Sequence, residues 1–124
     1  MPHRHSQAKT TTVSVSDEEM IEAVVTVLLS DKQDMRGLVG QLVTRWPDAS
    51  ALQIIHVLAL SAGSVEHMLA GPGAAQAAQD AWRMAGLVGV DLRMMEHLAL
   101  PRDTAADLLA YWLAHDRFFL TPPA

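Results

Sequence analysis

The stretch from Ala49 to Ala70, ASALQIIHVLALSAGSVEHMLA, limits the possible folds more than any other part of the chain. Its polar residues Ser50, Gln53, His56, Ser64 and His67 are spaced so that a helix gathers them on one narrow stripe, interrupted only at Leu60. Apart from Ser61, Gly63 and Glu66, every other position in it is Leu, Ile, Val, Ala or Met. A helix that is apolar over most of its circumference needs neighbours to cover it, so this stretch predicts the inner post of a bundle with a thin wet edge. Asp48, following Pro47, is expected to cap its start, and Gly71-Pro72 to stop it. Gly63 weakens the middle by up to about 1 kcal/mol relative to Ala, which marks Ala62 as the place to look for a break.

The rest of the chain supplies the neighbours. Ser16-Asp17-Glu18-Glu19 reads as a capping box that opens a helix with Ile21, Val24, Val25 and Leu28 on one face. Ser30-Asp31-Lys32-Gln33 repeats the pattern and predicts a second helix start. Its apolar stripe of Met35, Leu38, Val39, Leu42, Val43 and Trp46 runs up to Pro47. Further on, Ala74, Ala78, Ala81, Ala85, Val88, Leu92, Met95 and Ala99 alternate steps of four and three. This is a heptad seam whose Ala half lets another helix come close. Met84, Leu87, Met94 and Leu98 widen that face, and Gly86 and Gly89 are candidate kinks. Pro101 ends this element. Thr104 and Asp107 then cap a last helix carrying Ala105, Leu108, Leu109, Trp112 and Leu113. The expected architecture is all-α: a compact bundle of five to six helices over residues 17–124, forming a single domain. A flexible polar arm, residues 1–16, precedes it.

Composition narrows the function. Nineteen alanines against six aromatic residues mean a core of small and aliphatic groups, which favours helices. The absence of cysteine excludes disulfides and thiolate chemistry and leans toward a cytoplasmic setting. Neither a signal peptide nor a membrane span is expected, because no uncharged apolar run approaches the required length. The net charge of −5 includes a basic arm, Arg4 and Lys9 without an acid, so the body is more acidic still. An acidic body repels phosphate backbones, and nucleic-acid binding is disfavoured. In the arm, His3 and His5 are too few ligands for a structural or catalytic metal site, and the TTTVSVS run could add a strand to a partner's sheet edge.

No motif singles out a reaction. A di-iron bundle needs Glu-x-x-His pairs, and no Glu here has His three residues later; HExxH and HxxxH are also missing, so no metal or other cofactor is expected. Glu66-His67 and Glu96-His97 recur thirty residues apart. Adjacent helical residues diverge by about 100°, so chelation would need Glu66 and His97 to meet across two helices. His56 sits among Ile54, Ile55, Val57 and Leu58, where it either lines a pocket or lies on the wet stripe. A helix-turn-helix could be drawn through Ala59, Gly63 and Leu69, but its second helix would present Glu66 and His67 and no Arg or Lys. No phosphate loop or nucleophile elbow is visible.

The function expected is therefore a non-enzymatic protein–protein interaction module, a small homo-oligomeric assembly or regulatory factor. Trp112, Phe118, Phe119 and Leu120 are the interface candidates, with Trp82 as a further anchor. The alternatives are a small-molecule or metal-sensing bundle, with a pocket lined by His56, His67, Glu66, His97 and Met84, and a helix-turn-helix regulator.

Overall fold

The computed structural model describes residues 16–30, 34–68 and 71–120. They form five α-helices and a closing 3-10 turn: α1 (Asp17–Leu28), α2 (Met35–Arg45), α3 (Ala51–Met68), α4 (Pro72–His97), α5 (Ala105–Ala114) and the turn Phe118–Leu120. The chain is an all-α bundle whose most extensive contact joins α3 to α4. Residues 1–15 of the expected N-terminal arm lie outside the described residues.

α3 is the inner post. Ala51, Ile54, Val57, Leu58, Ser61, Ala62 and Val65 are buried, while His56, Leu60 and His67 follow the wet edge. The helix starts two residues later than expected, and its cap is not Asp48. Ser50 Oγ accepts from the Gln53 amide at 2.9 Å, and Gln53 Oε1 accepts from the Ser50 amide at 3.4 Å, so Ser50-Ala51-Leu52-Gln53 is itself a capping box. Gly63 does not break the helix, because Ala62 and Val65 on either side are fixed in the core and outweigh its propensity cost.

Two other starts also differ from expectation. Ser16 is the N-cap of α1 through its backbone alone; its side chain makes no capping bond. The buried line of α1 is Met20, Val24 and Leu28, with Ile21 packed beside it. Ser30 serves the end of α1, its hydroxyl donating to the Val27 carbonyl at 2.8 Å. α2 begins instead at Met35, where the Asp34 carboxylate accepts from the Gly37 amide at 3.0 Å. A side chain at position 37 would collide with that carboxylate, so glycine makes room for the cap. The other residues of the expected box, 31–33, lie outside the described residues.

α4 runs unbroken for 26 residues, about 39 Å, through both Gly86 and Gly89. Ala77, Ala78, Ala81 and Ala85 are buried along its inner side, and these small side chains let α3 approach over most of the length of the hairpin. It ends in a Schellman motif: the Ala99 amide donates to Glu96 O at 3.0 Å and the Leu100 amide to Met95 O at 2.9 Å, with Ala99 at φ 57°. Thr104 and Asp107 form the expected capping box of α5.

The starts of α3 and α5 are clasped by backbone. Ala51 N–H donates to Asp103 O at 2.9 Å, Ala105 N–H to Ala49 O at 2.8 Å, and Ala106 N–H to Pro47 O at 3.0 Å. At the other end of α5 the chain folds back so that Phe119 covers Trp112, with ring centroids 4.5 Å apart. This return depends on Gly40 of α2, where a Cβ would lie 2.7 Å from the Phe119 carbonyl oxygen.

Candidate interaction face

The side of α4 opposite its alanine seam has no covering element among the described residues. Trp82, Gly86, Val90 and Met94 follow one another there at steps of four, which on a helix makes a continuous ridge. Trp82 is 44% exposed, Val90 62% and Met94 44%, and Leu98, just past the helix, is 45% exposed. The Trp82 indole N–H donates to Glu66 Oε1 at 3.2 Å, which ties the ring to the end of α3 while leaving its surface open. A shallow cavity of about 380 Å³ is lined by Val90, Arg93, Met94 and His97. The arginines of this face pair along their own helix, Arg93 with Glu96 at 2.7 Å and Arg83 with Asp80 at 3.9 Å.

The residues expected to line a pocket are not brought together. His56 is 54% exposed on the side chain and lies 3.7 Å from Asp17 at the start of α1, where Gln53 also donates to Asp17 at 2.7 Å. It therefore lies on the wet edge, and its apolar sequence neighbours face elsewhere. Met84 is buried on the inner side of α4, and His67 is exposed near the end of α3. Glu66 and His97 cannot share a ligand: Glu66 bonds Trp82, and His97 stands fifteen residues further along α4, roughly 22 Å away at 1.5 Å per residue. The two dipeptides do not meet because α3 and α4 form an antiparallel hairpin, which sends them to opposite ends. The turn of the drawn helix-turn-helix is absent as well, since α3 passes straight through Gly63. Among the described residues, no group of three or more His, Asp or Glu could hold a metal ion. Nor is any helix long and apolar enough to cross a membrane.

Of the aromatic anchors expected at an interface, two are consumed inside the domain. Trp112 is fully buried and Phe119 is 2% exposed. Phe118 is at the surface with the Arg36 guanidinium 4.9 Å above its ring, and Leu120 is half-buried. Leu120 and Phe119 form one wall of a groove of about 540 Å³ whose other wall is Gly37, Gly40, Gln41, Thr44 and Arg45 of α2. Trp46 is half-buried under Arg45, whose guanidinium lies 4.4 Å from the ring. Trp82 alone among the tryptophans stands open on a helix face.

A polar contact that no local spacing signals links α4 to α5. Trp112 Nε1 donates to Asp91 Oδ2 at 2.9 Å. Burial pushes the Asp91 carboxyl above its usual range, the indole bond works against that, and the negative charge of Asp116 adds to it. The Tyr111 phenol beside it is also raised, first by burial and then by the charges of Asp91 and Asp116. A carboxyl whose folded pKa lies above its unfolded value favours folding when protonated. That contribution is complete below the unfolded value and is lost as pH rises through the folded one. Asp91→Asn keeps an oxygen for the indole and removes the charge. It is expected to raise the melting temperature near pH 7, with the advantage shrinking as pH falls toward about 4. Thermal melts of both proteins across that window check it, and an advantage that is constant with pH would show that charge is not the cause.

Met94 and Leu98, expected to widen the inner face of α4, are exposed instead, and the spacing 82, 86, 90 and 94 marks the outer ridge. Asp91 carried no such signal, because its partner lies on another helix. A scan against protein-family models finds no match for the chain, and searches of the curated proteins and of the solved structures find none either.

Proposed function

We propose that the protein is a non-enzymatic interaction module, a small assembly or regulatory factor whose contact surface is the outer face of α4. One observation carries this reading: Trp82, Val90 and Met94 lie in one line on the longest helix and stay open to solvent, although the same chain buries Trp112 and Phe119 completely or nearly so. Aromatic and Met side chains are enriched where proteins meet, and a rigid helix presents them without loop-ordering cost.

The reading is tested by placing a photo-crosslinking amino acid at position 90 in the producing cells. A discrete covalent adduct from position 90, with none from the exposed position 18 on α1, is the expected result. Absence of any discrete adduct at position 90 would overturn the interaction reading.

A further inference from the structure

The outer face of α4 also identifies its own partner. Resting on the interaction reading above, we infer that this face pairs with the same face of a second copy. The two α4 helices cross in opposite directions about a two-fold axis between Gly86 and Val90.

Shape is the first argument. When two helices cross at roughly 50°, their rows of residues four apart run parallel, so residues of one row can meet those of the other. In the ridge Trp82, Gly86, Val90, Met94, glycine is the one gap, and nothing lies within 4 Å of where its Cβ would be. A two-fold axis midway between positions 86 and 90 seats Val90 of each copy in the Gly86 notch of the other. The same axis sets Trp82 against Met94, a sulfur–aromatic contact, at both ends. The ridge is therefore complementary to itself in this register: the large residue meets the gap, and the aromatic ring meets the flexible thioether.

Charge is the second argument. The chain carries −5 overall, and the first turn of α1 alone presents Asp17, Glu18 and Glu19, so most approaches of two copies are repulsive. On α4, Arg83 pairs with Asp80 and Arg93 with Glu96, which leaves the ridge flanked by compensated charges. A second copy approaching this face meets two paired arginines and two paired acids, with no net charge of its own sign. One helix face is a small contact by the standard of stable dimers, so the assembly is concentration-dependent.

Sedimentation velocity over a concentration series of the purified protein tests the inference. The wild type is expected to shift from monomer to dimer. Val90→Glu puts two carboxylates beside the axis and weakens the dimer by about tenfold or more, without changing the helical circular dichroism. Because the chain has no cysteine, Gly86→Cys and Val90→Cys can be mixed under mild oxidation. They are expected to cross-link to each other, while Ala75→Cys, further back on the same helix, does not. A wild type that stays monomeric throughout overturns the self-pairing, and so does a dimer that Val90→Glu leaves intact. If a photo-adduct from position 90 then carries the mass of a different protein, the interaction reading stands with another occupant. If there is no adduct either, both fail.

Discussion

Replacing Trp112 with alanine is expected to lower the unfolding free energy by about 3–5 kcal/mol, the range for deleting a fully buried large aromatic side chain. Few single changes in this chain remove more. Trp112 is fully buried, it carries the ring that Phe119 covers, and its indole supplies the hydrogen bond to Asp91 on α4. Losing it opens a cavity and leaves a half-buried carboxylate without its donor. Against a typical total of about 5–15 kcal/mol, a loss of this size removes at least about a fifth of the stability. Urea titration followed by circular dichroism measures it. Trp112→Phe separates the two contributions: the packing largely remains, and losing the donor costs about 1–2 kcal/mol. A Trp112→Ala protein within 1 kcal/mol of wild type would mean that Trp112 is not part of the core.

Phe119→Ala is expected to cost about 3 kcal/mol or more, and Phe118→Ala under about 1.5 kcal/mol, although the two residues are adjacent. The difference follows from where the 3-10 turn points them. Phe119 is buried against Trp112, and Phe118 lies at the surface beneath Arg36. Phe119 and Trp112 share one contact, so the loss in the double variant falls short of the sum of the two single losses. Equal costs for the two phenylalanines, measured by the same titration, would contradict this packing.

The helical architecture was legible because it rests on periodicity. The stripe from Met35 to Val43, the apolar faces of α3 and the Thr104 capping box all reappear where local spacing places them. Helix starts were less legible where several capping residues compete. Asp48 and Ser50 both qualify as caps for α3, and what favours Ser50 is Gln53 reaching back to it. Likewise Asp34 caps α2 because Gly37 leaves it room, a condition that counting spacings does not reveal. Burial of the terminal aromatics was open in principle. An FFL cluster must be covered, but whether the cover is intramolecular depends on the close pass over Gly40, and therefore on tertiary geometry. The candidate pocket residues lie apart for the opposite reason. Sharing a stripe or a dipeptide says nothing about which end of an antiparallel hairpin a residue occupies.

The clasp between the starts of α3 and α5 has a consequence for the order in which the chain assembles. Its two sides, around Ser50 and Thr104, are separated by roughly fifty residues, and closing so long a loop from an unfolded chain carries an entropic cost before any contact is gained. The α3–α4 hairpin spans nearly all of that interval, and its pairing is local. Once it forms, it carries the two sides to the same end of the molecule, and the remaining closure is short. The hairpin is therefore expected to form before the α5 clasp, which φ-values high along α3 and α4 and low at Trp112 and Phe119 would check.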